Sequence, residues 1–239
     1  MATVEANIQN SNSFHPKSLV TFDLSQSETV SESCSLHLLY KLSPSLFIDP
    51  YELAQHQESY TSTQWGDIEL EKPVHAVQDS DTNLLVTVNQ RLRNEGTTSM
   101  RFEVEVPLHA RYLAPSSQDV PGEELGNYRH VPLERPQAFF ACPKGPDQES
   151  APPPIHISAT QLAAANLSSS IIQFIHIPYS SNYPVDFVRV PVGRQEHLFG
   201  VQVTTSVIIL LIFLWVTSAT IHAARRLISG STSGHLKTA

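Results

Sequence analysis

The sequence predicts a mainly β protein, in which an antiparallel β-sandwich-like domain is followed by one C-terminal transmembrane helix. Three features of the 239-residue chain support this prediction. Apolar residues alternate with polar ones in many short segments, as they do along strands with one buried face. All 17 prolines lie at or before Pro191, which disfavours long helices in that part of the chain. Residues 198–224 then contain no Asp, Glu, Lys or Arg.

Six or more strands are expected in the first 192 residues. The clearest are Cys34–Leu42 and Phe102–Leu108, in which every second residue is apolar. We expect each of these two strands to bury one face and to expose the other. The further candidates are shorter or interrupted by proline: Leu84–Val88, Ala138–Cys142, Ile171–Ile177 and Val185–Val192.

A short helix is predicted to begin after Asp49, between two of the strands. Asp49 suits the N-cap, Pro50 suits the first helical position, and Glu52 places negative charge at the positive end of the helix dipole. We expect this helix to last about two turns. Residues 1–13, which include the polar stretch Asn10–Ser13, are expected to form a flexible N-terminal segment.

The uncharged stretch predicts a transmembrane helix over residues 198–224. About 20 apolar residues, at roughly 1.5 Å rise per residue, cross a hydrocarbon core of about 30 Å. No acidic residue follows Glu196, whereas Arg225, Arg226 and Lys237 do. Because basic residues favour the cytoplasmic side, residues 14–196 are predicted to form a lumenal β domain and residues 225–239 a short cytoplasmic tail.

No cleavable signal peptide is visible in residues 1–26, which conflicts with a lumenal domain. Two explanations are open. Either the signal lies upstream of this start, or the protein is tail-anchored with its β domain in the cytosol. The sequon at Asn166 distinguishes them, because Asn166 is N-glycosylated only if this region enters the secretory pathway.

Charge and motifs argue against several classes of function. The formal net charge of −8 disfavours a nucleic-acid binder held by phosphate contacts. The sequence has no His-Glu-x-x-His or Cys-x-x-Cys metal motif and no Gly-x-Ser-x-Gly nucleophile elbow. We therefore expect no metal, no cofactor and no catalytic residue. Asp79 and Asp81 form a DxD motif of the kind found in glycosyltransferases, but a solvated loop is the stronger interpretation of so short a match.

Cys34 and Cys142 are the two cysteines of the chain and a candidate disulfide. In an oxidising lumen, a bridge that closes a loop of about 100 residues contributes roughly 4 kcal/mol to stability. The alternative, two buried free thiols on strands, is equally open.

Three segments together resemble the PIG-X family, whose members are subunits of glycosylphosphatidylinositol (GPI) mannosyltransferase I. Ser45–Ala54 is similar to the DPYEL segment of that family, and Val106–Pro115 is similar to its P-x-H-x-R-Y segment, which is the most specific of the three. Val188–Gly193 matches a further segment just before the membrane span. The order and spacing agree from about Phe14 to Ala224, so the resemblance covers most of the chain.

The resemblance implies a non-catalytic, single-pass protein of the endoplasmic reticulum membrane with a large lumenal domain. PIG-X-like proteins stabilise the multi-spanning catalytic subunit that adds the first mannose in GPI-anchor biosynthesis. The implied partners are that subunit of GPI mannosyltransferase I and membrane lipid. Two alternatives stay open: a tail-anchored cytosolic β-domain adaptor, and a glycosyltransferase that uses Asp79 and Asp81.

The most specific matching segment contains His109, Arg111 and Tyr112, which follow the strand ending at Leu108. Strand alternation would send His109 and Arg111 to one face and Tyr112 to the other. These residues are predicted either to contribute to the partner surface, or to a buried polar network with an acid such as Glu105, or to form a purely structural strand-to-loop corner. The first hypothesis predicts that Arg111→Ala lowers the level of the partner while leaving this protein folded.

Overall fold

The computed structural model describes residues 2–25, 33–67, 69–70, 72, 74–77, 81–89, 99–116, 128–145, 153–154, 157–168, 170–180 and 185–234. Within these ranges the protein is mainly antiparallel β-sheet with one C-terminal apolar helix, which confirms the predicted fold class. The strands in chain order are β1 (Thr3–Gln9), β2 (Lys17–Ser25), β3 (Ser35–Leu42), β4 (Leu46–Phe47), β5 (Tyr60–Trp65), β6 (Thr82–Val88), β7 (Ser99–Pro107), β8 (His109–Ala110), β9 (Tyr128–Glu134), β10 (Gln137–Pro143), β11 (Ile172–His176) and β12 (Val185–Pro191).

Within the described residues, the strands assemble into two larger sheets and two strand pairs. One sheet has the order β1-β2-β7 and the other the order β11-β10-β3-β6-β5. The remaining strands form a β9–β12 ribbon and a short β4–β8 pair. Every pairing within these sheets is antiparallel.

The main hydrophobic core is shared by both larger sheets and the β9–β12 ribbon. Its fully buried side chains include Phe22 of β2, Tyr40 of β3 and Phe140 of β10. The Tyr40 hydroxyl lies 3.0 Å from the hydroxyl of Ser18 on β2, so this buried polar group has a hydrogen-bond partner. Burying a large apolar side chain contributes about 2–3 kcal/mol, and this core is therefore the main source of the stability of the domain.

The prediction that residues 1–13 form a flexible segment is wrong for most of these residues. Strand β1 occupies Thr3–Gln9 and pairs with β2 along its whole length. Val4 and Ala6 are buried in the main core, whereas Glu5 points to solvent. The sequence of β1 does alternate with period two, as expected for a strand. The alternation was overlooked because alanine is only weakly hydrophobic and a polar stretch follows directly.

Strand β7 has the predicted single buried face, but β3 is buried on both sides. Leu38 of β3 belongs to the main core, while its neighbour Leu39 packs into a second cluster with Phe139 and Phe174. Because β3 lies in the middle of the five-stranded sheet and that sheet is covered on its outer side, the strand has no solvent-facing side.

The outer cover includes a helix that was not predicted from the sequence, α2 (Ala159–Ala164). Ser158 caps it, with its side chain accepting a hydrogen bond from the backbone N–H of Gln161. Leu162 of α2 and the following Leu167 are buried in the second cluster. Six residues are too few for helical periodicity to be detected, so the capping box was the available signal.

The predicted short helix is present as α1 (Pro50–Leu53), which continues into a 3₁₀ turn over Ala54–His56. Its two turns agree with the prediction, and Asp49 is the N-cap. The Asp49 carboxylate accepts a 2.8 Å hydrogen bond from the backbone N–H of Tyr51. This cap fixes the first turn, which carries Glu52.

The chain divides into two compact units, of which the first comprises residues 1–114 and 121–192 and the second residues 115–120 and 193–239. The second unit is dominated by α3 (Leu198–Gly234). The part Gln195–Arg226 is long and apolar enough to cross a membrane, and an 18-residue window within it has a mean hydropathy of 2.2. The predicted span over residues 198–224 lies inside it, and the helix continues to Gly234.

Candidate functional site

The short β4–β8 pair brings together two segments that are far apart in sequence. Its register sets Phe47 directly opposite His109. Arg111 lies two residues after His109, and its backbone N–H donates a 2.9 Å hydrogen bond to the carbonyl oxygen of Ser45. This bond fixes the position of Arg111. The backbone therefore positions the side chains of His109 and Arg111 around the ring of Phe47.

His109 lies at the centre of a cluster of polar side chains. Its Nε2 donates a 2.6 Å hydrogen bond to the Oε2 atom of Glu52, because a carboxylate only accepts. Its Nδ1 lies 2.9 Å from the Nδ1 atom of His15, and in neutral His109 this atom accepts the hydrogen bond from His15. The imidazole ring also stacks on Phe47 at 5.1 Å between ring centroids. We call His15, Phe47, Glu52, His109 and Arg111 the polar corner.

Arg111 is the buried member of the polar corner, with 3% of its surface exposed. Its Nη1 atom donates hydrogen bonds of 2.7 and 2.8 Å to the carbonyl oxygens of Glu69 and Lys72. Its guanidinium lies 4.7 Å from the centroid of the Phe47 ring, within the range of a cation–π interaction. Burial lowers the pKa of Arg111, and the nearby carboxylate of Asp67 opposes that shift. These contacts make Arg111 a structural anchor rather than a surface group.

Asp67 is held in place beside this anchor. Its carboxylate accepts a 2.9 Å hydrogen bond from the backbone N–H of Glu69, which is the main reason that the pKa of Asp67 lies below its usual value. The positive charges of Lys72 and Arg111 lower that pKa further. The charge of Arg111 is thus balanced by a fixed carboxylate.

Tyr112 lies on the surface, with 77% of its area exposed. Its ring is tilted against Phe14, with 5.0 Å between the centroids. His109 and Arg111 both contact the Phe47 ring, but β8 ends at Ala110, so strand alternation does not determine the direction of Tyr112. The three predicted residues are therefore divided between a buried anchor, a half-buried histidine and an exposed aromatic side chain.

The acid in the polar corner is Glu52, and the expectation of Glu105 is wrong. Glu105 lies on β7, where its carboxylate forms an ion pair with Lys17 of β2 at 2.7 Å. The hydrogen bond from Lys17 to Glu105 raises the pKa of Lys17. Because Glu105 and His109 are on different strands with Pro107 between them, their side chains are directed to different neighbours.

A family model for PIG-X / PBN1 matches residues 11–221 of the chain. The chain belongs to the PIG-X / PBN1 family. A relative named Protein pbn1 from Neurospora crassa is 23% identical over 211 residues, which cover 84% of this chain and 40% of that protein. A Protein pbn1 from Aspergillus fumigatus is 28% identical over 118 residues, which cover 46% of this chain and 22% of that protein. The chain thus spans less than half the length of these relatives. No solved structure matches it.

In this PIG-X / PBN1 family member, Cys34 and Cys142 are joined by a disulfide. Cys34 directly precedes β3 and Cys142 lies on β10, and the antiparallel pairing of Ser35 with Ala141 sets the two cysteines beside each other. The two residues are 108 positions apart in sequence. Of the two alternatives left open by the sequence, the structure therefore contains the bridge.

Asn166, the candidate N-glycosylation site of this family member, is exposed immediately after α2. Its φ of 59° is in the left-handed region, where asparagine commonly ends a helix. Leu167, the middle residue of the sequon, is buried and fixes the backbone at that point. The Asn166 side chain is thus presented to solvent on an ordered turn.

The alternative DxD site is only partly within the described residues, because Asp79 lies outside them. Asp81 is described, and its carboxylate lies 3.2 Å from the Nζ atom of Lys41. This contact raises the pKa of Lys41. Within the described part of the chain, no group of three or more His, Cys, Asp or Glu side chains is arranged to hold a metal ion.

Several residues of the polar corner were not predicted from the sequence. Glu52 was assigned only to the helix dipole, and no role was predicted for His15 or Phe47. The pairing of β4 with β8 was the missing information, because two-residue strands have no periodicity. The acceptors for Arg111 are backbone carbonyl oxygens, which every residue has, so no sequence signal could have identified them.

Proposed function

We propose that this chain is a non-catalytic subunit that stabilises the multi-spanning mannosyltransferase adding the first mannose in GPI-anchor biosynthesis. The observation that carries the proposal is the match of the PIG-X / PBN1 model to residues 11–221, which include both the β domain and most of α3. In this role the β domain and α3 contact the catalytic subunit and lower its rate of unfolding and degradation. The mannose donor and acceptor bind to the partner.

The polar corner fixes the backbone directly before Tyr112, which is exposed. Arg111 and His109 fix the backbone through contacts that the domain itself satisfies. Tyr112 is presented on this fixed backbone, and it combines a large apolar ring with a hydroxyl group. Exposed tyrosines of this kind are common anchors at protein interfaces. Tyr112 is therefore the candidate contact with the catalytic subunit.

The proposed location is the endoplasmic reticulum membrane, with the β domain in the lumen. Three features favour this orientation. Arg225 and Arg226 follow the apolar part of α3, the two cysteines are bridged, and Asn166 is exposed to solvent. A disulfide suits an oxidising compartment, and an exposed sequon suits the site of N-glycosylation.

Co-purification of the partner tests the proposal. Cells that lack this protein are given the wild-type chain, Tyr112→Ala, or the control Ile175→Ala, which changes an exposed apolar residue on β11. We expect the wild-type and Ile175→Ala chains to recover a multi-spanning mannosyltransferase and to restore lipid-anchored proteins at the cell surface. Tyr112→Ala should accumulate normally but recover less of the partner. Failure of the wild-type chain to recover any such enzyme would contradict the proposal.

A further inference from the structure

The β9–β12 ribbon presents an outward face with two exposed aromatic side chains. Phe187 is 56% exposed and Tyr128 is 41% exposed, although both lie on strands whose other face is buried in the main core. His130 and Arg189 are cross-strand partners on the same face. We call Tyr128, His130, Phe187 and Arg189 the ribbon face.

The side chains of the ribbon face are organised into two contacts. The guanidinium of Arg189 lies 5.2 Å from the centroid of the Tyr128 ring. The ring of His130 lies 6.3 Å from that of Phe187. Such contacts hold the aromatic rings at the surface in defined positions without burying them.

Chain length alone keeps this ribbon close to the membrane that α3 can cross. β12 ends at Pro191, and the part of the chain able to span a membrane begins at Gln195. Four residues extend over at most about 14 Å. Tyr128 is the cross-strand partner of Pro191, so it is subject to nearly the same limit.

The charges along the ribbon differ between its two ends. At the end that leads to α3, the ribbon face carries Arg189, and Arg194 follows in the connection over residues 192–197, where Glu196 is the one acidic residue. At the opposite end lie Glu134 and the ion pair of Arg135 with Asp186, whose atoms are 3.4 Å apart. The basic end is thus the one that the chain holds near the bilayer.

We propose that the ribbon face binds the phospholipid headgroup layer of the membrane that α3 crosses. Tyrosine and phenylalanine are favoured at membrane interfaces because their rings lie among the upper acyl chains and carbonyl groups, and the tyrosine hydroxyl stays hydrated. The guanidinium of Arg189 adds a positive charge on the same face, which attracts lipid phosphate. This contact lays the ribbon along the membrane surface and restricts how the β domain is presented to a membrane-embedded partner.

Fluorescence quenching by lipids tests the proposal on the full chain. Phe187→Cys and, as a matched control, Ser62→Cys, an exposed position on the edge strand β5, are labelled with an environment-sensitive fluorophore. Each protein is reconstituted in phosphatidylcholine nanodiscs that contain lipids with a nitroxide on the headgroup. The native cysteines do not react while they are bridged. We expect the label at position 187 to lose most of its fluorescence and the label at position 62 to lose little.

Two further variants keep the result interpretable. Tyr128→Cys places the label on the neighbouring strand and should also be quenched, which provides a second site if the change at Phe187 disturbs folding. Arg189→Gln, combined with the label at either site, should reduce the quenching. Equal quenching at the ribbon face and at Ser62 would overturn the proposal. No partner protein is present in these nanodiscs, so the result is independent of the proposed role in GPI-anchor biosynthesis.

Discussion

Replacing Arg111 by alanine is predicted to destabilise the β domain. This differs from the sequence-based expectation that Arg111→Ala leaves the protein folded, and the reason is the burial of the side chain. The substitution removes both hydrogen bonds from Nη1 and leaves the carbonyl oxygens of Glu69 and Lys72 without that donor. It also removes the cation–π contact with Phe47.

The size of the expected loss in the free energy of unfolding follows from these contacts. Hydrogen bonds to charged groups contribute about 1.5–3 kcal/mol each, and a partly desolvated cation–π contact contributes about 1–2 kcal/mol. The desolvation of the guanidinium in the native state offsets part of this sum, so we expect a net loss of about 3 kcal/mol. In a domain of this size, 1 kcal/mol corresponds to about 2–4 °C in Tm, and the expected decrease is therefore about 6–12 °C.

Thermal unfolding of the full chain in detergent micelles measures this effect. Tyr112→Ala is the matched control, because it changes the adjacent residue at an exposed position, and we expect it to change the free energy of unfolding by about 0.5 kcal/mol or less. Arg111→Lys keeps the charge but loses the planar donor group, so its Tm should lie between those of the other two variants. A Tm for Arg111→Ala equal to that of Tyr112→Ala would refute the assignment of Arg111 as a buried anchor.

Three further predictions concern the β domain. The double variant Cys34→Ser, Cys142→Ser lacks a cross-link spanning 108 residues, so its free energy of unfolding should be lower by about 4–5 kcal/mol. Identical Tm values for this variant and the wild type would contradict the prediction. Asn166→Gln should abolish a mobility shift produced by endoglycosidase, and a wild-type chain that shows no shift in cells would argue against a lumenal domain. Burial lowers the pKa of His37 to about 4, so the unfolded state binds a proton below pH 6.5 that the native state does not. Stability should therefore fall by up to about 3 kcal/mol between pH 6.5 and pH 4, and His37→Gln should show a weaker dependence in denaturant titrations.

The elements that could be predicted are those whose residue pattern in the sequence matches their burial in the folded protein. Strand β7 alternates in sequence and also has one buried face, so its pattern was sufficient. The membrane-competent part of α3 has an apolar composition that no other segment approaches. Asp49 and Pro50 marked the beginning of α1 because a helix cap depends on adjacent residues.

The parts that were not predictable depend on contacts between distant segments. Phe47 meets His109 only because β4 and β8 pair across 62 positions. The burial of Arg111 depends on carbonyl oxygens, which have no residue identity. β3 is covered on its second face by α2, which lies more than 100 residues later. Each of these features is a property of the assembled sheets.

The proposed role of the chain is to stabilise a mannosyltransferase without itself transferring mannose. The most direct measurement is made in cells that lack this chain, where the abundance of the multi-spanning enzyme and the surface level of lipid-anchored proteins are followed together. We expect both to fall, and we expect that raising the expression of the enzyme alone restores the lipid-anchored proteins. An enzyme that stays at its normal level while mannose transfer is lost would contradict the account.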